Sequence, residues 1–345
     1  MTTIHRVTIR RGGFSLRLRV RPVIVGAVLA LLALTVSVFT LTSGDFPIPV
    51  PDVLRALVGA GDAATNVIVL ELRLPRVAVA LLVGIALGAS GAVFQSLTRN
   101  PLGSPDFVGL TVGSSTGALL VILLLGGSGF GVSAGAIAGC VATSVLVYLL
   151  AFRRGVQPFR LVLMGIGVSA LLDALNTFLI LRARLADAIA AQVWLIGSVS
   201  GRTYTEVVIV GLGVVVVLPV LVYASRQLAM LNLGDEVAVV QGVRVEPARA
   251  VLAGGAVVLA AVATAAAGPV GFVALSAPHI AARLTRAPGA NILPSAAMGA
   301  VLMVGGDWVA QRILPDRDLP VGVVTAAAGG AYLCWLLARE WRRGV

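Results

Sequence analysis

Lysine is absent from this chain of 345 residues, so all 26 of its basic residues are arginines. A phosphate-binding loop of the G-x-x-x-x-G-K-[ST] type needs its lysine to reach the nucleotide phosphates. The sequence therefore excludes a nucleotide site of this type. Any step driven by ATP hydrolysis would have to take place on another chain.

Residues that ligate metals or act as nucleophiles are also scarce. The chain has two cysteines, Cys140 and Cys334, and two histidines, His5 and His279. Cysteines inside separate apolar runs predict small buried side chains, and they disfavour a disulfide or a Cys/His metal site. Neither an H-E-x-x-H motif nor a serine elbow with suitable partners occurs. We therefore expect no catalytic residue, no metal and no cofactor on this chain.

Charged residues make up only 12% of the chain, against 58% hydrophobic residues, and the mean hydropathy is +1.01. A soluble domain carries about 25% charged residues, so the composition indicates an integral membrane protein. The net charge of +11 is compatible with a nucleic-acid partner. The arginines lie mostly between apolar segments, however, and this distribution is typical of membrane topology. We therefore expect membrane lipid, and no nucleic acid, around the chain.

The apolar runs predict an all-α protein with about ten transmembrane helices. The run 23–42 follows an arginine-rich arm, 1–22. It is longer than the apolar core of a secretory signal, which has roughly 7–15 residues, and so predicts an uncleaved first span. Further spans are predicted at 75–94, 108–125, 132–152, 161–181, 207–222, twice within 250–277 where Gly268-Pro269 divides the run, at 292–309 and at 319–337. The ten-span domain thus covers 23–338, and a tail, 339–345, follows.

The arginines also predict the orientation of the chain. Ten spans place both termini on one side of the membrane, and the segments on that side hold most of the arginines. Arginine is enriched in cytoplasmic loops, so both termini are predicted to lie in the cytoplasm. The segment 182–205 is then expected to be an external loop. Five spans in each half would leave the halves inverted relative to each other, which is common among transporters.

A polar segment interrupts the apolar chain between the sixth and seventh predicted spans. It predicts a helix of about two turns whose start is capped by Asn232 or Gly234. Asp235 and Glu236 lie in the first turn, where carboxylates suit the positive end of the helix dipole. Gly242 can end the helix in the left-handed conformation. An isolated helix needs roughly 12 residues or more in water, so the rest of the chain or a partner must hold this one.

Few ionisable residues are predicted inside the spans. Asp173, with Asn176 and Thr177 on the same helix, either lines a pathway or makes a structural hydrogen bond. Asp307 lies near the outer end of its span, where we expect it to serve packing or capping. An intramembrane enzyme or an ion-coupled transporter would need more ionisable groups that converge within the spans.

Five stretches resemble the FecCD family of ABC importer permeases, whose members carry iron-siderophore, haem and cobalamin cargo. They run in the family order from about residue 45 to the end of the chain. The stretches are LRLPR at 72–76 and the segments 88–106, 231–244, 267–283 and 319–325. Two further segments, 159–168 and GGAY at 329–332, resemble the branch of the family that carries ferric enterobactin.

The resemblance implies a type II ABC importer permease fold in the inner (cytoplasmic) membrane. The implied partners are a second permease, favoured to be a different chain, two ABC ATPases that bind ATP and Mg²⁺, and a siderophore-binding lipoprotein or periplasmic protein. The implied cargo is a ferric siderophore of the catecholate type. Haem or cobalamin is the alternative within the family, and a secondary transporter or channel is the alternative outside it.

The resemblance also implies roles for individual residues. Arg73 and Arg76 are expected to face outward and bind glutamates of the binding protein, with anchoring at the membrane interface as the alternative. A third arginine of the family falls on Gln311, so Arg312 or Arg317 is expected to replace it.

Two more sets of residues follow from the same resemblance. The ATPase-coupling segment, at about 224–248, is expected to act through Gly234, Asp235, Glu236, Ala238, Gln241 and Gly242. The alternative for this segment is a membrane-surface helix, which two acids without a basic face disfavour. The residues expected to line the translocation path are Ser169, Asp173, Asn176 and Thr177.

Overall fold

The structure, a computed structural model, describes residues 6–11, 14–44, 46–106, 109–152, 158–314 and 318–341. Seven helices in this part of the chain are long and apolar enough to cross a membrane. They are α1 (Val20–Thr42), α4 (Leu74–Thr98, within the helical unit Ala63–Thr98), α6 (Phe130–Ala151), α7 (Pro158–Arg182), α9 (Tyr204–Asn232), α11 (Val245–Ala267) and α13 (Ile292–Ile313).

The other described helices are shorter. They are α2 (Val50–Leu57), α3 (Ala63–Asn66), α5 (Leu110–Leu124), α8 (Leu185–Ile196), α10 (Asp235–Val240), α12 (Val273–Thr285) and α14 (Val321–Trp341). A π-helical stretch, Val67–Arg73, joins α3 to α4. Two antiparallel strands, β1 (Arg6–Arg11) and β2 (Phe14–Arg19), form a hairpin before α1. The membrane part is therefore helical, as predicted, and the hairpin is an addition to the predicted fold.

The helix boundaries follow the predicted breaks in most places. Gly268-Pro269 divides the long apolar run, because α11 ends at Ala267 and α12 begins at Val273. The expected external loop at 182–205 contains α8, which the sequence did not predict. Ten of its 12 residues are apolar, but 12 residues are too few to span a membrane, and the arginines at 182 and 184 precede it.

Helix α4 lies at the centre of the fold and packs against α9, α11, α12 and α13. Its contact with α13 is a glycine seam, formed by Gly84 and Gly88 on α4 and Gly299 on α13. A Cβ atom on Gly84 would collide with the carbonyl of Gly299, and one on Gly88 would collide with the carbonyl of Ser295. Glycine therefore lets the two backbones touch, as small residues do between membrane helices.

Candidate functional site

Arg76, in the first turn of α4, is held by two acids from distant parts of the chain. Its Nη2 donates to Oδ1 of Asp307 on α13 at 2.9 Å, and its Nε donates to Oδ2 at 3.1 Å. Its Nη1 donates to Oδ2 of Asp318 at 2.6 Å. The Asp307 side chain is 2% exposed and that of Asp318 is 47% exposed. Asp307 thus forms a buried ion pair, in addition to the packing role expected from the sequence.

The neighbouring side chains support this ion pair. Gln311, one turn after Asp307, donates through Nε2 to Oδ2 of Asp307 at 2.7 Å. A buried carboxylate needs such additional hydrogen bonds, because the attraction of one cation does not by itself offset the loss of hydration. Arg312 contacts Trp308 instead: its guanidinium carbon lies 4.3 Å from the ring centre, and its Nη1 donates to the Trp308 carbonyl at 2.9 Å.

Arg73 binds the chain segment that follows α1. Its Nη1 donates to the carbonyl of Leu41 and its Nη2 to the carbonyl of Phe46, both at 2.7 Å. The start of α4 is thereby joined to the end of α1.

The three arginines expected to dock a binding protein line one cleft of about 790 Å³. Arg73, Arg76 and Arg312 contribute to its walls together with Gln311 and Asp318. The cleft is open to solvent, and three guanidinium groups at its edge suit a partner that carries carboxylates. Arg317, the other candidate, lies outside the described residues.

A second polar cleft, of about 430 Å³, lies between α5, α7 and α8. Three of the four expected path residues, Asp173, Asn176 and Thr177, line this cleft with Thr111 and Gln192. The Asp173 carboxylate has no hydrogen-bond or ion-pair partner among the described residues. The buried Oδ1 of Asn176 is also unpartnered there. Of the two groups, only the Asp173 carboxylate belongs to an exposed residue, because Asn176 is buried.

Ser169, the fourth expected path residue, does not line this cleft. Its hydroxyl donates to the carbonyl of Gly165 at 2.8 Å, one turn earlier in α7. A Cβ atom on Gly109 would collide with the same hydroxyl. Ser169 therefore packs against the start of α5.

The short helix α10 has the predicted ends. Gly234 precedes it with φ at +120°, and Gly242 follows it with φ at +80°, a left-handed conformation that suits glycine. Asn232 does not cap the helix, because its Nδ2 donates to Oγ of Ser96 at 2.6 Å and joins the loop to α4. Ala238, inside this short helix, is fully buried.

Two arginines hold the N-terminal end of α10. Arg249 on α11 donates to Oδ2 of Asp235 at 2.9 Å, and Arg99, the residue after α4, lies 3.4 Å from Oδ1 of Asp235. Arg99 also donates to the carbonyl of Leu231 at 2.6 Å. The sequence could not reveal these partners, since Arg99 and Asp235 are 136 residues apart. Part of the stability of α10 thus comes from its own chain.

The outer face of α10 remains exposed. Glu236 and Gln241 are exposed, and so are Val239 and Val240, the latter with 84% of its surface accessible. Glu236 has no ion-pair partner among the described residues. The outer face of α10 thus combines an exposed acid with exposed valines.

The loop between α4 and α5 carries a half-buried acid, Asp106. Burial raises the pKa of Asp106, and the hydroxyl of Thr111, which donates to Oδ1 at 2.6 Å, opposes this shift. Nearby, the backbone carbonyl of Pro101 lies 2.8 Å from Nε2 of His279 on α12. Across the part of the chain that the structure describes, no cluster of three His, Cys, Asp or Glu residues is placed to hold a metal ion.

Comparison with known proteins places this geometry among transport proteins. The model of the FecCD transport family matches residues 29–339. The ferric enterobactin transport system permease protein FepG of Escherichia coli (strain K12) is 42% identical over 306 residues, which cover 89% of this chain and 93% of that protein. The achromobactin transport system permease protein CbrC of Dickeya dadantii (strain 3937) is 38% identical, with 97% of each chain covered.

A solved structure is similar over nearly the whole fold. It is an inward-facing conformation of a metal-chelate type ABC transporter, with a TM-score of 0.83 and 29% sequence identity. The similarity covers 92% of this chain and 99% of the other.

Proposed function

Because this chain belongs to the FecCD transport family, we propose that it is the permease subunit of an ABC importer that carries a ferric siderophore into the cytoplasm. The 42% identity to a ferric enterobactin permease favours a catecholate siderophore. Haem or cobalamin remains the alternative cargo within the family. The chain is a multi-pass membrane protein and not an enzyme.

The observation that carries this proposal is that α4 connects α10 with the cleft lined by Arg73, Arg76 and Arg312, which we call the arginine cleft. Arg76, at its first turn, lines the arginine cleft, and Arg99, directly after its last turn, contacts α10. A helix of this length spans about 37 Å, enough to cross the hydrocarbon core. One helix thus connects a surface suited to an acidic partner with an exposed short helix suited to a different partner.

The proposed assembly follows from these two surfaces. The arginine cleft docks a siderophore-binding lipoprotein or periplasmic protein, and α10 docks an ABC ATPase. A second permease, favoured to be a different chain, completes the path, and two ATPases bind the ATP and Mg²⁺. This chain then needs no cofactor of its own, in keeping with its lack of lysine.

The proposed topology has ten spans with both termini in the cytoplasm. The seven long helices are supplemented by α5, α12 and α14, which are apolar but shorter, while α8 remains on the outer side. The division into an arm, 1–22, a permease domain, 23–338, and a tail, 339–345, is retained. The similarity to an ABC transporter over 92% of the chain supports this type II permease fold.

The polar cleft between α5, α7 and α8 is the proposed part of the translocation path. A ferric catecholate is bulky and anionic, so a wall of neutral hydroxyl and amide groups suits it better than a row of carboxylates. Asp173 is the exception, and it places the one carboxylate of this cleft beside Asn176 and Thr177. Alternating access would open the cleft to each side in turn as the ATPases hydrolyse ATP.

The test is reconstitution of the paired permeases with their ATPase and binding protein in liposomes. Uptake of radiolabelled ferric enterobactin is expected to require ATP and an active ATPase. Uptake that persists with a hydrolysis-dead ATPase would contradict ABC import and favour a secondary transporter. ATP-dependent uptake of haem or cobalamin, but not of ferric enterobactin, would overturn the cargo assignment alone.

A further inference from the structure

An apolar groove of about 340 Å³ lies between α12, α13 and α14. Its walls include Ile280, Leu302, Val309, Val324 and Tyr332. In the proposed topology the groove runs through the middle of the membrane, from Val309 and Val324 on the outer side to Ile280 and Tyr332 on the inner side. An empty apolar groove forgoes dispersion contacts that a hydrocarbon chain would restore.

Glycine keeps this groove open. Gly305 on α13 lines it, and a Cβ atom added there would meet no heavy atom within 4 Å. Gly306 and Gly329 line it as well, and a Cβ on Gly329 would collide with Phe272. The open volume beside Gly305 is therefore space that no neighbouring side chain of the described residues fills.

Two arginines lie next to the indole of Trp335, one helical turn beyond the groove residue Tyr332. The guanidinium carbon of Arg283 is 5.5 Å from the ring centre of Trp335 and 5.9 Å from that of Tyr332. That of Arg339 is 5.3 Å from the ring centre of Trp335. Neither arginine forms an ion pair with an acid of the described residues. Two guanidinium groups near the same ring repel each other, and an anion that binds both would relieve this repulsion.

The hydroxyl of Tyr332 gives an independent indication of a ligand. Tyr332 lines the groove, and its oxygen is buried without a hydrogen-bond partner among the described residues. A buried tyrosine hydroxyl usually finds a partner, so this one is placed to donate to an oxygen of a molecule in the groove.

We propose that this groove binds one phospholipid of the inner leaflet that carries an anionic headgroup. One acyl chain lies beside Gly305, the Tyr332 hydroxyl donates to an ester oxygen, and the phosphate binds Arg283 and Arg339. Basic pockets between helices on the cytoplasmic side are typical sites for anionic lipid headgroups, and tryptophan is enriched at that depth. The lipid would fix the inner half of α14 against α12 and α13.

The test uses the purified full-length chain, with its partner subunits where these co-purify. The protein is delipidated and incubated with phosphatidylglycerol or phosphatidylcholine of identical acyl chains, and bound lipid is counted by native mass spectrometry. We expect one retained phosphatidylglycerol and markedly less phosphatidylcholine. Equal retention of the two lipids would overturn the headgroup assignment, and retention of neither would overturn the site.

Four variants locate the bound lipid. Gly305→Leu fills the groove and is expected to abolish retention, whereas Gly254→Leu, at another helix position with open space around its Cβ, should not. Arg283→Gln should weaken phosphatidylglycerol binding about fivefold, the loss expected for one arginine near an anionic lipid. Arg226→Gln, at the cytoplasmic end of α9, is its control.

The test must distinguish a loss of lipid binding from a loss of folding or assembly. Each variant is compared only where its elution profile and circular dichroism match those of the unmodified chain, and Arg283→Gln remains informative if Gly305→Leu does not fold. Unchanged retention in both Gly305→Leu and Arg283→Gln would overturn the proposal. So would loss of the lipid when a second permease pairs with this chain, since that chain would then occupy the groove. None of these measurements needs cargo or ATP, so they do not depend on the proposed transport function.

Discussion

The guanidinium of Arg76 and the carboxylate of Asp307 form a bidentate ion pair between α4 and α13, with Nη2–Oδ1 at 2.9 Å and Nε–Oδ2 at 3.1 Å. The same guanidinium uses its remaining nitrogen to bind Asp318, just before α14. A residue expected to dock a partner is therefore also a structural link between three helices. The two roles are separable, because Asp307 is buried and Asp318 is half exposed.

The structural role predicts a large effect of Arg76→Met on stability. The variant leaves Asp307 buried without its cation, and breaking such a pair costs about 3–5 kcal/mol. The double variant Arg76→Met, Asp307→Leu removes both charges and should recover much of this loss. Thermal unfolding in detergent measures both.

Arg55→Met is the control for this first prediction. It removes the cation of an exposed pair with Asp52, which contributes only about 0–1 kcal/mol. If Arg76→Met lowers the unfolding temperature no more than Arg55→Met does, the buried pair does not stabilise the fold.

The docking role predicts that Asp318→Asn strengthens binding of the extracytoplasmic binding protein. Asp318 accepts a hydrogen bond from Nη1 of Arg76. Its neutral replacement should leave Nη1 free to bind a carboxylate of the partner. The gain is expected to be about 2–5-fold, the magnitude of one partly exposed ion pair. Biolayer interferometry with the permease in nanodiscs measures it. Asp52→Asn, at another partly exposed ion pair, should change nothing, and weaker binding by Asp318→Asn would contradict this role of Arg76.

The coupling segment predicts that Glu236→Arg weakens association with the ATPase. Glu236 is exposed and unpaired among the described residues, so a charge of the wrong sign should weaken docking about tenfold without disturbing the fold. Asp235→Arg is a less specific variant, because it also breaks the contacts with Arg249 and Arg99. Co-purification of the ATPase, normalised to permease yield, is the measurement. An equal fall in permease yield would mean that α10 serves folding.

The raised pKa of Asp106 predicts a pH dependence of stability. Burial favours the protonated form in the folded chain, so the unmodified protein should gain stability relative to Asp106→Asn as the pH falls through that raised pKa, and lose it as the pH rises. At neutral pH the variant, which carries no charge, should be at least as stable as the unmodified chain. Unfolding temperatures of both, measured from neutral pH to below the ordinary aspartate pKa of about 3.9, give the difference.

Asp62→Asn supplies a control of the opposite sign. Hydrogen bonds from Thr65 lower the pKa of Asp62, which caps α3. The unmodified chain should therefore lose stability relative to this variant as the pH falls. If the stability of the unmodified chain relative to each variant changes in the same direction with pH, the assignment for Asp106 is contradicted.

The sequence predicted local features well, because they depend on neighbouring residues. The break at Gly268-Pro269 and the short helix closed by Gly242 are both confirmed. The ion pair of Arg76 was not predictable, since Asp307 lies 231 residues away and only the packing of α4 on α13 brings the two together. Helix α8 was missed for another reason, because a short, largely apolar segment next to arginines resembles an interfacial loop as much as a helix. The roles of the expected site residues remain predictions.

The glycine seam between α4 and α13 has a mechanical consequence. Helices that interlock by large side chains must repack those side chains before they slide. Along Gly84 and Gly299 the backbones meet directly, so a displacement of α4 along its axis meets a smooth surface there, and shear requires less repacking than it would across interlocked side chains. The ion pairs of Arg76 with Asp307 and Asp318, at the first turn of α4, oppose that shear.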